Sequence, residues 1–296
     1  MLSSFSLKRL AALAAIAALA ACGGGGCNCT VPAFNGAPVG VVTPVPVPGV
    51  GGATAPPGPV LPTPVPVPVI PPPTASPLVA LTCAQNAITG TGVPLGSDAT
   101  FAVLAASTVT NAGPTLVTGN LGVSPGTAVT GFGAGNGVVV GGAIHAGDPT
   151  AAQAQLDLTV AYNNAAGRVN PAAVPADIGG MVIAPGTYKA PVSLAITGNV
   201  TLDGQLNPNS TFIFQMASTL TTSVNSTVTL INMANACNVF WQVGSSATLN
   251  TASVFNGNIM ALASISLGTG ATVNGRLLAR TGAVTLLSNT VTMTGP

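Results

Sequence analysis

The chain has 296 residues, among them six Lys or Arg, five Asp, no Glu and one His, so only 4% are charged, against about 25% in an ordinary soluble domain. Nucleic-acid binding is excluded as a main activity. It needs clustered Lys and Arg, and the basic residues beyond the N-terminal segment, Arg168, Lys189, Arg276 and Arg280, are scattered. A membrane-embedded body is excluded as well, because Thr, Ser, Asn, Gly or Pro breaks every apolar run after residue 30 before the roughly eighteen residues a span requires.

Lys8 and Arg9 precede a short apolar run, Leu10 to Ala21, the pattern of a secretory signal. The run ends Leu19-Ala20-Ala21-Cys22, which resembles the bacterial lipobox. That resemblance implies a signal peptide over 1–21, cleavage after Ala21 and a lipid anchor on Cys22. Gly23, rather than Asp, follows, which points to the outer membrane and the cell surface if the cell is Gram-negative. The alternative is a plain secreted protein cut at an Ala-x-Ala site.

Residues 22–82 read as a Gly- and Pro-rich disordered tether. Residues 30 to 77 hold sixteen of the 26 prolines. Runs such as Pro62-Thr63-Pro64-Val65-Pro66 favour polyproline II, because alternate residues lack the N–H that a helix or central strand needs. At about 3.1 Å per residue, 43 to 77 could extend roughly 100 Å, a spacer between membrane and domain.

With Cys22 acylated, four cysteines remain: Cys27, Cys29, Cys83 and Cys237. Secretion permits disulfides, and a Cys83–Cys237 bond would staple the lead-in to the domain. Cys27 and Cys29 lack the companions of a zinc site. No metal or cofactor is expected.

The domain, 83–296, changes texture near residue 94 to short β-rich segments separated by Gly, Asn and Asp turns. One helix interrupts them. Asp148 is an N-cap, Pro149 a first helical residue and Gly167 a stop; Leu156, Val160 and Tyr162 are its expected apolar contacts. Thereafter a repeat emerges. Thr248–Gly257 aligns with Ser266–Gly275 at an offset of 18, and Thr285–Val291 follows after 19 more. A period near 20 residues predicts a solenoid. Leu249, Leu267 and Leu286 form its inward ladder, and Asn256-Gly257 and Asn274-Gly275 its corners.

Several segments then coincide with one family: Phe101-Ala102-Val103-Leu104-Ala105, Gly119-Asn120-Leu121-Gly122-Val123-Ser124-Pro125-Gly126, Ala184-Pro185-Gly186-Thr187-Tyr188, Phe212-Ile213-Phe214-Gln215, Asn238 to Thr248 and Val273-Asn274-Gly275-Arg276. Residues 95 to 293 thus resemble the bacterial and fungal-type ice-binding domain (DUF3494-like). The resemblance implies an all-β fold, a right-handed, irregular, three-faced β-solenoid with one long α-helix packed alongside. It also implies that one flat face adsorbs to ice or ordered water. A monomer that is not an enzyme is expected.

The family's ice-facing pattern is Thr, a small residue, any residue, then Thr or Asn. Thr269-Gly270-Ala271-Thr272 matches in full and Thr251-Ala252-Ser253-Val254 in its first half, while Thr222-Ser223-Val224-Asn225, Ser288-Asn289-Thr290-Val291 and Thr197-Gly198-Asn199-Val200 depart from it. The candidate ice-contacting residues are therefore Thr197, Thr222, Asn225, Thr251, Ser253, Thr269, Thr272, Ser288 and Thr290. His145, the one His, lacks a nucleophile or carboxylate cluster and suits a structural hydrogen bond. The five Asp are far apart in sequence. The rival to ice is an adhesin or structural surface module that binds protein or glycan.

Overall fold

The computed structural model describes residues 92–293. The signal peptide, Cys22, the tether, Cys27, Cys29 and Cys83 lie outside the described residues. Cys237 is disulfide-bonded.

Parallel strands stack into a solenoid. Two sheets, of 15 and 7 strands, form it. The larger sheet makes two faces, because the strands Val254–Ala261 and Thr272–Ala279 each run across both and bend at Gly257 (φ 115°) and Gly275 (φ 149°). The bend needs glycine: a Cβ on Gly275 would meet the Gly257 carbonyl oxygen at 2.0 Å. These are the expected Asn-Gly corners. Leu249 pairs with Leu267, and Leu286 is buried beside them, so the expected ladder faces the core.

The covered face contains Gly186–Lys189, Phe212–Met216, Val239–Val243, Phe101–Ala105, Asn120–Val123 and the C-terminal halves of the two long strands. Phe101–Ala105, Phe212–Met216 and Val239–Val243 are buried at every position. One side of each strand faces the solenoid interior, where Phe214 stacks on Trp241 at 4.2 Å and Trp241 meets Phe255 at 5.1 Å. The other side, with Leu104, Ile213, Phe240, Met260 and Leu278, packs under the helix Pro149–Ala166.

The helix starts as the sequence predicts, with Asp148 accepting the Ala151 N–H at 2.9 Å and Gly167 as C-cap. Its contact face is different. Leu156 and Val160 are 64% and 60% exposed, whereas Ala151, Ala154, Leu158, Ala161, Tyr162 and Ala165 are buried. Spacings of three and four residues place those six on one face. Four of them are alanines, which lets the helix lie close to the sheet, and the two exposed aliphatics stand opposite.

The stacking order departs from the order of the chain. Phe101–Ala105 sits between Thr272–Ala279 and Asn120–Val123 in the middle of the stack. The chain climbs to Ile144–Ala146 at one end. After the helix it resumes at the other end, Ala172–Ala173. The rungs then return until Thr290–Thr292 pairs with Leu116–Thr118.

Under the short 3-10 helix Gly96–Thr100, Arg276 is completely buried. It donates to Asn258 Oδ1 at 2.9 Å and to the Ala99 carbonyl at 2.6 Å. Asp98 is buried as well, and neither carboxyl oxygen has a hydrogen-bond partner. Burial pushes its carboxyl up to about 9; the charge of Asp157 adds to the rise and the Arg276 guanidinium opposes it.

Candidate functional site

Two faces carry no helix. The second face runs Leu194–Ile196, Leu220–Thr222, Ala247–Leu249, Ile265–Leu267, Val284–Leu287, Thr108–Ala112 and Ala128–Thr130. The third runs Val182–Ile183, Asn199–Asp203, Thr227–Ile231, then 254–256 and 272–274 of the long strands, Thr290–Thr292, Leu116–Thr118 and Val138–Val140. On both, alternate residues point in and out, the signature of a sheet with one buried side.

The two bare faces meet at a corner with a repeated backbone. Gly198, Asn225, Ala252, Gly270, Ser288, Gly113 and Gly131 all have φ between 50° and 79°. The turns stack through the main chain: Asn225 N–H donates to the Thr251 carbonyl, Ala252 to Thr269, Gly270 to Leu287 and Ser288 to Ala112, at 2.9 to 3.1 Å. This column explains the four-residue pattern. The small second position is the left-handed corner residue, where a bulky side chain is strained. The third position, Ala271 or Ser253, points inward and is buried. The first and fourth face outward: Thr251 and Thr269 are exposed at the corner, and Thr272 opens the third face.

The register corrects two expected residues. Thr222 and Ser253 are 1% exposed. Their hydroxyls lie 2.8 Å apart, and Ser253 also donates to the Asn250 carbonyl at 2.6 Å. They satisfy the inside of the corner, where an unbonded polar group would be costly, and cannot touch an external surface. Thr222 was placed by a frame that is two residues early. Leu220 pairs with Ala247, so the corner there is Asn225 and the outward fourth residue is Thr227, partner of Val254. A one-residue slip of the same kind puts Ser288 at the corner and Thr290 in the fourth position, opposite Thr272. Thr197 stays at the corner, and Asn199, opposite Thr227, fills the fourth position of its rung.

The outward side chains of the third face form two files. Asn199, Thr227, Val254, Thr272, Thr290, Leu116 and Val138 are successive partners in the first. The second holds Thr201 beside Thr229, and Asn256, Asn274, Thr292, Thr118 and Val140 in succession. Hydrogen bonds fix much of this array. Asn199 Oδ1 accepts from Thr227 and Thr229 at 2.9 and 2.6 Å, Asn274 donates to Asn256 at 3.1 Å, and Asn256 donates to the Val228 carbonyl at 2.7 Å. None of the second-file residues was among the candidates. The signal that could have found them is the alternation itself, at two residues beyond each fourth position.

The second face has its own hydroxyl file: Thr221, Thr248, Ser266, Thr285, Thr110 and Thr130. Beside it, Ser246 and Ser264 hydroxyls accept from the Ser264 and Ala283 backbone N–H groups at 3.3 and 3.1 Å, so that neighbouring row is occupied by its own sheet.

His145 Nδ1 lies 2.7 Å from Asp148 Oδ2, at the helix N-cap. The Ala151 N–H first, and His145 after it, hold the Asp148 carboxyl below its ordinary range. Among the described residues no group of three or more His, Cys, Asp or Glu is placed to hold a metal ion.

Comparison with known proteins agrees with this geometry. Residues 103–292 match the family model described as Ice-binding-like. The chain belongs to the Ice-binding-like family. An ice-binding protein of Nostoc sp. (strain HG1) is 47% identical over 199 residues, spanning 67% of this chain and 72% of the relative. The Ice-binding-like fold is equally plain in solved structures. An ice-binding protein from an Antarctic biological consortium superposes with a TM-score of 0.66 at 48% identity, covering 68% of this chain and 91% of that one. The DUF3494 domain of Shewanella frigidimarina ice-binding protein 1 does so with a TM-score of 0.62 at 31% identity, covering 68% and 96%. The all-β solenoid with its flanking helix is thus the family's architecture.

Proposed function

We propose that this protein adsorbs to ice through the third face and the corner column beside it. The observation that carries the reading is the pair of outward files, uncharged from Asn199 and Thr201 to Val138 and Val140. Rungs repeat at about 4.7–4.9 Å and alternate residues at roughly 6.6 Å, so Thr methyls and hydroxyls stand on a regular grid. Their β-branched stems restrict χ1. A rigid grid sums many weak contacts at little ordering cost. Adsorption needs no catalytic group, and under this reading the protein is not an enzyme.

The test is inhibition of ice recrystallisation by the purified chain. Thr272→Tyr and Thr290→Tyr are expected to lower it at least tenfold with an unchanged melting curve, while Thr248→Tyr on the second face leaves it intact. Loss only with Thr248→Tyr would move the site to the second face. No inhibition by folded wild-type chain would sink the reading and leave the adhesin alternative.

The N-terminal sequence supports a companion proposal. Acylation of Cys22 tethers the domain to the outer membrane, and the proline-rich stretch holds it out from the surface. Incorporation of labelled fatty acid that Cys22→Ala abolishes is the expected result; labelling that persists in the variant rejects the anchor.

A further inference from the structure

Where the third face turns toward the covered face, Gly119, Gly257 and Gly275 each make the bend alone. Two neighbouring rungs do it differently. After Asn199–Asp203 the chain makes a tight turn, closed by the Asn207 N–H on the Gly204 carbonyl at 2.9 Å. At the end of Thr227–Ile231 it makes another, closed by the Ala234 N–H on the Ile231 carbonyl at 3.0 Å. The turns lie one on the other: Gly204 donates to the Ile231 carbonyl and Leu206 to the Asn232 carbonyl, both at 3.0 Å. Asp203 Oδ1 joins them as well, accepting from the Gln205 N–H and from Asn232 Nδ2, both at 2.8 Å.

Both central residues of each turn are left-handed: Gln205 and Leu206 (φ 53° and 60°), then Asn232 and Met233 (φ 49° and 66°). Two such residues in succession are the mark of a type I′ turn, which takes Asn or Asp followed by Gly. Asn232 suits its place. Leu206 and Met233 stand where glycine belongs, and a bulky side chain strains the backbone there. Burial does not offset the strain, because Leu206 is 72% exposed and Met233 61%. The same chain places glycine at left-handed corners on its other edge, at Gly113, Gly131, Gly198 and Gly270. Strain that no packing compensates points to a task for the side chains outside the fold.

Their position says which task. Asp203 and Ile231 are the outward residues two beyond Thr201 and Thr229, and Leu206 and Met233 follow within three residues. The two turns are thus continuous with the outward files of the third face.

We propose that Leu206 and Met233 form an apolar margin of the ice-adsorbing surface, held in left-handed backbone because their aliphatic groups meet the ordered water there. This rests on the third face as the ice surface and adds a part that its Thr and Asn files do not contain. A flat crystal surface lying on Asn199, Thr201, Thr227 and Thr229 meets these turns next. Adsorption withdraws aliphatic area from water at that edge, a gain that glycine cannot supply.

The test replaces both side chains by residues that the backbone prefers. Leu206→Gly combined with Met233→Gly should raise the melting temperature by about 2–4 °C, since relief of strain exceeds the entropy that glycine adds to the unfolded chain. It should lower inhibition of ice recrystallisation about three- to tenfold, the loss expected for two aliphatic side chains partly withdrawn from water. Leu206→Asn with Met233→Asn should show the same loss without added flexibility, because asparagine tolerates this backbone. Thr272→Tyr, measured alongside, separates the margin from the face. If it lowers inhibition and the double-glycine chain does not, the third face stands, the margin is wrong and the exposed pair serves another partner. If Thr272→Tyr changes nothing, the third-face reading falls and the margin falls with it. Full inhibition by the asparagine pair would assign the glycine loss to flexibility and overturn the proposal. A lower melting temperature of the double-glycine chain overturns it too, since the side chains would then be holding the fold.

Discussion

The covered and third faces are built from the same two long strands, yet they have opposite surfaces. In Thr272–Ala279 the residues before Gly275 alternate between half-buried and buried, and those after it are buried without exception. The helix makes the difference. Where it lies, outward positions are Leu104, Ile213, Phe240, Met260 and Leu278; where it is absent, they are Thr, Asn and a few aliphatics. A bare face can be kept in water by charge, but here Asp203 is the one charged residue on the third-face strands. The contrast separates two demands on one sheet, stability on one side and surface chemistry on the other.

The largest expected effect lies inside the covered face. Trp241 is fully buried between Phe214 and Phe255, and its indole N–H donates to the Asn256 carbonyl at 3.1 Å. Trp241→Ala should cost about 3–5 kcal/mol, read by denaturant unfolding, with inhibition of recrystallisation per folded molecule unchanged. Loss of inhibition in the folded fraction would show that the interior shapes the third face, and the separation would fail.

Much of this architecture was legible in the sequence, for a physical reason. The 18-residue offset from Thr248 to Ser266 equals the spatial register, so Leu249 and Leu267 pair as expected. Corner glycines and the N-cap Asp148 are local requirements that a few residues reveal. The site was less legible because its rungs differ in length at the corner. Val284–Thr290 is one residue shorter than Ile265–Thr272, which displaces a fixed four-residue frame at Ser288. Leu220–Thr227 equals Ile265–Thr272 in length, but its own frame, Val224-Asn225-Ser226-Thr227, lacks the leading Thr and the small second residue, so the pattern fell on the buried Thr222. The helix misled differently: alanine on every side hid the period that buries Leu158 and exposes Leu156. Nor could periodicity show that Phe101–Ala105 lies against Thr272–Ala279, since that contact joins distant parts of the chain.

A smaller effect is expected where the covered face meets Asp98. Its carboxyl rises from 3.8 to about 9. Between those values the folded chain keeps a proton that the unfolded chain has released, so this group's contribution is fully present below pH 3.8 and falls as pH rises toward 9. Asp98→Asn removes the ionisable group. It should raise stability at pH 8 by about 1–3 kcal/mol and flatten the decline in melting temperature from pH 5 to 8. An unchanged slope would mean that Asp98 finds a charged partner in solution.

On the third face the polar framework has a modest role. Asn256 joins two rungs through the Val228 carbonyl and Asn274. Asn256→Ala should cost about 0.5–1.5 kcal/mol and also lower ice inhibition, because the second file loses its support. Lower stability with full inhibition would detach that file from the contact surface.

The smallest effect on stability, and the sharpest on the comparison, belongs to Val254. It stands in the first file between Thr227 and Thr272, and it is exposed. Val254→Thr keeps the β-branched shape, exchanges one methyl for a hydroxyl and buries nothing new, so stability should move by less than about 0.5 kcal/mol. If the hydroxyls anchor ordered water, the completed file should strengthen inhibition about two- to tenfold, the range of one net hydrogen bond of about 0.5–1.5 kcal/mol. If the grid of methyls dominates, inhibition stays level, because valine already presents a methyl at that position. The two outcomes assign the working part of each threonine: in the first the bare face acts as a hydroxyl lattice, in the second as an apolar one whose hydroxyls only keep it in water.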